Sequence, residues 1–259
     1  METDKKIFDT HAHYNDEKFK NNQDEIINYV HNNGVEKICN VGTSLEESKE
    51  AIELSQKYGF IFSSVGIHPF NVNSLNSNWE EEILNLAKNK KVVAIGEAGL
   101  DYTAKEFSKN EQFDVFEKQL NLSKILKLPV IIHSREAEED TLAILKNFPD
   151  VKGVIHCFSG DYELAEKYVD LGWFIGFTGV ITFKNGEKTR KAAFAVPNEK
   201  IVVETDCPYM APVPFRGQVC NSAMLTSIIE KIAEIKNMSY DEILNQTNLN
   251  AHNLYKIKI

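Results

Sequence analysis

Ile7-Phe8-Asp9-Thr10-His11-Ala12-His13 is a short apolar run that closes on carboxylate and imidazole groups. The same form returns at Val92-Val-Ala-Ile-Gly-Glu97, Val130-Ile-Ile-His133, Gly153-Val-Ile-His156 and Ile201-Val-Val-Glu204-Thr-Asp206. Around these runs, β-branched stretches alternate with longer segments of helical period, the pattern of a parallel sheet joined by helical crossovers. The expected strands are residues 6–9, 37–41, 60–66, 92–96, 130–133, 153–156, 173–177 and 201–205. Eight strands, each followed by a helix, predict an α/β fold closed as a TIM (β/α)8 barrel, one domain over residues 1–259. An open doubly wound sheet ranks second, because the chain has no G-x-G-x-x-G fingerprint.

The helices announce themselves by start signals and stripes. Ser44-x-x-Glu47, Ser77-x-x-Glu80 and Ser239-x-x-Glu242 fit capping boxes, in which a hydroxyl and a carboxyl satisfy free N–H groups of the first turn. Leu225, Ile228, Ile229 and Ile232 fall on one helical face and are expected to pack on the sheet.

With 42% hydrophobic and 26% charged residues the chain has the composition of a globular protein. A formal charge of −9 argues against a protein that coats duplex nucleic acid, but not against an enzyme that grips a few phosphates. Neither a secretory leader nor an apolar run of about 18 residues is evident, so a cytoplasmic location is expected. Cys39, Cys157, Cys207 and Cys220 lack C-x-x-C spacing and are expected to be reduced. Cys157 and Cys207 each follow a candidate ligand, so strand alternation predicts that they point behind the barrel wall.

Five of the seven histidines, His11, His13, His68, His133 and His156, fall at or just past a strand end. In a barrel those ends share the face that carries active sites. His11 and His13, two apart on an extended segment, project to the same side and can reach one ion. An H-x-H alone is weak, but Glu97, His133, His156 and Asp206 follow other strands in the same way. Four imidazoles and two carboxylates exceed one tetrahedral ion, so two divalent ions are expected. Glu97 would give an oxygen to each, with His11, His13 and Asp206 on one and His133 and His156 on the other. Mixed nitrogen and oxygen ligation suits zinc or manganese, whereas magnesium prefers oxygen.

Blocks in a fixed order carry a family resemblance: Phe8-Asp9-Thr-His11-Ala-His13, Gly66-Ile-His68-Pro69, Ile95-Gly-Glu97-Ala-Gly-Leu-Asp-Tyr102, His133-Ser-Arg135-Glu-Ala, His156-Cys-Phe-Ser-Gly160, Glu204-Thr-Asp206-Cys-Pro-Tyr209 and Ala211-Pro-Val-Pro-Phe-Arg216-Gly217. The chain resembles the TatD family of metal-dependent deoxyribonucleases in the amidohydrolase-like superfamily. The resemblance implies a TIM-type barrel, two divalent ions bridged by Glu97, and 3′-to-5′ exonuclease activity on DNA and sometimes RNA. It also implies that Asp206 is a metal ligand and proton acceptor. After Arg216-Gly217 the family often continues with Lys and later Glu-Pro. This chain instead reads Gln218-Val-Cys-Asn221-Ser-Ala, which bears on substrate contacts from that loop.

The expected mechanism is attack by a metal-activated hydroxide on a phosphodiester, with Asp206 taking the proton. Glu204 and Asp9 would stand behind the ligands, Glu204 orienting an imidazole or forming a barrel-interior ion pair. Arg135 and Arg216 are candidate phosphate contacts, with a salt bridge to a helix carboxylate as the ordinary alternative for Arg135. His68 is expected at the rim, touching substrate rather than metal. His31 and His252 are expected on the surface or in packing. Tyr102, Phe158 and Phe177 are either base-stacking rings or core. A dinuclear esterase or amidase, such as an aminoacyl-tRNA deacylase, uses the same chemistry on a carbonyl and is the second enzyme reading. A binding protein with a vestigial metal site is the third.

Overall fold

The computed structural model describes residues 6–103 and 107–258. Its strands are β1 (Ile7–Ala12), β2 (Val35–Val41), β3 (Ile61–Val65), β4 (Val92–Asp101), β5 (Val130–Arg135), β6 (Gly153–Ile155), β7 (Phe174–Phe177) and β8 (Ile201–Val203). They form one parallel sheet in sequential order, β1 to β8. Closure comes from a bridge between Ala12 and Cys207, with Asp206 N–H on His11 O at 2.9 Å and His13 N–H on Cys207 O at 2.8 Å. The outer ring holds α1 (Gln23–Asn32), α2 (Leu45–Lys57), α3 (Trp79–Leu86), α4 (Lys109–Leu126), α5 (Glu138–Lys146), α6 (Tyr162–Asp170), α7 (Glu187–Ala195), α8 (Leu225–Lys236) and α9 (Tyr240–Tyr255). The TIM barrel expected from the alternation is the fold observed. No helix among the described residues is long and apolar enough to cross a membrane.

The stripe Leu225, Ile228, Ile229 and Ile232 is fully buried on α8. Each such side chain contributes roughly 1.5–3 kcal/mol of burial. Ser239 and Glu242 form the reciprocal capping box at the start of α9. Ser44 accepts from Glu47 N, but the Glu47 carboxylate turns to Thr43 instead of closing the box. Ser77 does not cap: α3 starts at Trp79, and Asn76 Oδ1 already accepts from Asn78 N at 2.8 Å. The N-cap is Asn78, one residue later than expected, so Ser77 falls outside the first turn.

The strands that matter most for the site run longer than their apolar cores suggest. β1 continues to Ala12 and β4 to Asp101, so His11 and Glu97 lie inside strands rather than beyond them. Register shifts between Asp9 and Ala12 and between Ile95 and Ala98 mark both places. At the second, Gly96 has a φ of +131° and a Cβ there would meet Ile131 O at 2.7 Å, so only glycine lets Glu97 swing inward.

Candidate metal centre

The strand ends converge on a cavity of about 750 Å³ whose wall includes His13, His68, Glu97, His133, His156 and Asp206. Glu97 stands between two groups of donors. Its Oε2 lies 3.4 Å from His11 Nε2 and 3.9 Å from His13 Nε2. Its Oε1 lies 2.7 Å from His133 Nδ1, 3.8 Å from His68 Nε2 and 3.9 Å from His156 Nε2. Asp206 Oδ1 closes the first group, 3.4 Å from His13 Nε2 and 3.7 Å from both His11 and His156 Nε2.

These residues fit divalent cations by the placement of their protons. An imidazole that ligates a metal turns its other nitrogen to an acceptor, which fixes the tautomer. His13 Nδ1 faces Val41 O at 3.1 Å, and His133 Nε2 faces Asp101 Oδ2 at 2.9 Å. His156 Nδ1 lies 2.9 Å from Glu204 Oε1, an ion-pair approach outside hydrogen-bond alignment. Each ring thus presents a lone pair to the cluster. His11 and His13 bring their Nε2 atoms within 3.0 Å, a separation that suits two ligands of one ion. His11 is the exception behind the cluster, with Nδ1 buried and unpartnered.

The electrostatics describe the same demand for positive charge. His156 is pushed up to about 10: burial opposes its charge, but Glu204, Glu97 and Asp206 outweigh burial. Burial would raise Glu97, yet His156 and His11 hold it well below the usual range. His68 falls to about 3 under burial and the neighbouring His133, so it stays neutral, and because its Nδ1 accepts from Phe70 N–H its proton sits on Nε2, the nitrogen turned to Glu97. Asp101 is drawn down to about 2, because the His133 hydrogen bond and Thr103 overcome its burial.

Backbone conformation places several of these groups. Asp206 and Cys157 have positive φ, +56° and +45°, a region that non-glycine residues enter only under constraint. β6 ends at Ile155, so strand alternation no longer governs Cys157. Against the expectation that it points behind the wall, Cys157 lines the cavity, its Sγ 3.5 Å from Thr178 Oγ1. Burial raises its pKa and keeps it a thiol. Cys207 is buried as expected, and all four cysteines are free.

The other expected residues divide. Glu204 is fully buried against His156 and accepts from Cys157 N at 2.5 Å. Asp9 is buried but touches no ligand imidazole. It accepts from Thr205 Oγ1 and Ser222 Oγ, both at 2.6 Å, and from the N–H of Thr205 and His11. Burial raises it to about 6 despite those four bonds.

His68 joins Glu97 and His133 as a possible ligand group, whereas the sequence had put His156 there and His68 on substrate. His68 follows β3 as the cap of the turn that starts at Pro69, with its N–H on Thr43 O at 2.7 Å. Arg135 is exposed on the cavity wall and makes no ion pair among the described residues. Arg216 is not brought to the wall: its guanidinium lies 3.8 Å above the Phe183 ring and donates to Ala211 O. Phe158 and Phe177 pack in the core, and Tyr102 donates to Asp140 beside Lys109, away from the cavity. His31 stacks on Phe60 and His252 packs inside, as expected. Asp101, Phe70 and Tyr209 were missed as site residues; the Asp101-Tyr102 pair in its block was the available signal for the first.

The family described as TatD related DNase matches residues 8–256. The chain belongs to the TatD family. It is 38% identical to the uncharacterized metal-dependent hydrolase YabD of Bacillus subtilis (strain 168), over 97% of this chain and 99% of that one. It is 32% identical to the 3′-5′ ssDNA/RNA exonuclease TatD of Klebsiella pneumoniae (strain 342), over 98% and 99% of the two chains. Among solved structures, the TatD homolog YJJV from Escherichia coli K12 superposes with a TM-score of 0.92 at 28% identity, covering 98% of this chain and 99% of that one. This TatD protein is accordingly a metal-dependent hydrolase.

Proposed function

We propose that the protein is a 3′-to-5′ exodeoxyribonuclease working with two divalent ions, zinc, manganese or magnesium. The observation that carries the dinuclear reading is Glu97, whose two oxygens face different donor groups. The exonuclease names of TatD relatives at 30–32% identity support a nucleic-acid substrate. His11, His13 and Asp206 would hold one ion, and His133 with His68 or His156 the other.

Ions at these positions would make water more acidic and offset charge on the phosphoryl oxygens. Asp206, whose Oδ1 faces three imidazoles, holds the attacking water and takes its proton. Asp101 keeps His133 in the tautomer that leaves its inner nitrogen free, and the Glu204 carboxylate stands 2.9 Å from His156 Nδ1. Arg135, exposed on the cavity wall, would meet a phosphate.

The test is release of nucleotides from 3′-labelled single-stranded DNA, duplex DNA and RNA, with aminoacyl-tRNA alongside, each in EDTA, magnesium, manganese or zinc. Stepwise loss of 3′ nucleotides with metal, and none in EDTA, is expected. Intact nucleic acid together with deacylated tRNA would overturn the nuclease reading in favour of the esterase.

A further inference from the structure

Two aromatic rings on the cavity wall reach solvent, Phe70 at 43% exposure and Tyr209 at 46%. Their settings differ. Tyr209 is engaged by polar neighbours, its hydroxyl donating to Asp16 at 2.8 Å and the Lys18 ammonium lying 4.3 Å from its ring centre. Phe70 is anchored through its backbone, because its N–H donates to His68 Nδ1 at 3.1 Å just after the rigid Pro69.

Behind Phe70 lies Phe107, nearly parallel at 15° with centroids 5.7 Å apart. Toward the barrel axis, the His68 ring is 4.8 Å from Phe70, and His133 is 4.4 Å from His68. His133 in turn contacts Glu97. Four rings therefore run from the rim to the centre where the bond would break. A half-exposed phenyl fixed in register with that centre presents apolar surface that a flat, apolar-faced group would cover. A nucleobase is such a group, and only an unpaired one is free to leave its own stack. Arg135 on the same wall supplies a cation for the adjoining phosphate.

We propose that Phe70, backed by Phe107, is the platform on which the unpaired base at the substrate's reacting end stacks. The inference rests on the nuclease reading above. Base stacking on an aromatic side chain is sequence-tolerant, so the platform selects pairing state rather than base identity.

The test uses metal-loaded enzyme and single strands whose last linkage is a hydrolysis-resistant phosphorothioate, ending in 2-aminopurine or in an abasic site. The wild type should quench 2-aminopurine on binding and hold it about tenfold more tightly than the abasic end. Phe70→Ala should lose both the quenching and the difference, and Phe70→Trp should restore them. Equal affinity for the two ends in the wild type, or normal quenching by Phe70→Ala, would overturn the platform. An enzyme that binds and quenches yet never cleaves an ordinary strand would overturn the nuclease reading while leaving the platform in place.

Discussion

The two sides of the donor cluster around Glu97 are built by different means. On the β8–β1 side, His11 and Asp206 are set by backbone: Asp206 N–H bonds His11 O, and the Asp9 carboxylate ties β1 to Thr205 and Ser222 through buried bonds. Tyr14 extends that net, its hydroxyl 2.7 Å from Ser222 Oγ. On the β3–β5 side, the His68 and His133 rings lean mostly on other side chains, ring against ring and imidazole against Glu97 and Asp101, with one backbone bond to a ring, from Phe70 N–H to His68 Nδ1. The first side is part of barrel closure and shares its stability; the second can change while the barrel stands.

The largest effect should come from the residue common to both sides. Glu97→Ala is expected to lower turnover on the order of 10³-fold and to reduce bound metal, measured by steady-state kinetics and elemental analysis. A near-normal rate would overturn the proposal that Glu97 joins the two sides. Asp101→Asn should cost about 10- to 100-fold in metal affinity or activity while leaving the melting temperature almost unchanged. Ser222→Ala should do the opposite, since removing a donor to buried Asp9 costs about 1–3 kcal/mol. Calorimetry should then show a Tm lower by roughly 2–10 °C, with turnover per folded molecule falling far less than for Asp101→Asn. If Asp101→Asn melted early and Ser222→Ala did not, the contrast between the sides would be reversed. Arg216→Ala should have the smallest effect, a change in KM below about threefold, because its guanidinium already rests on Phe183.

The positions of the H-x-H, Glu97, His133, His156 and Asp206 on the cavity side were legible because short apolar runs mark strands and barrels gather strand ends on one face. Three things were not. The carboxylates behind two of the imidazoles were hidden, since Asp101 lies 32 positions from His133 and Glu204 lies 48 (204 − 156) from His156. The direction of Cys157 was misread because period-two alternation stops where β6 stops. The place of Arg216 depended on Phe183, in a distant loop.

The sequence by itself determined the barrel and which residue types stand at its rim, because apolar periodicity and strand-end position are local properties of the chain. Tertiary structure alone decided which oxygen of Glu97 meets which imidazole, that His68 turns inward, and that Phe70 rather than Phe158 or Phe177 faces the cavity. The Glu97 geometry accompanies register shifts at Asp9–Ala12 and Ile95–Ala98 and the left-handed turn at Asp206, whereas His68 and Phe70 are set by the turn at Pro69 and the bond of His68 N–H to Thr43 O. Such features are imposed by contacts between strands far apart in sequence, which no single segment encodes.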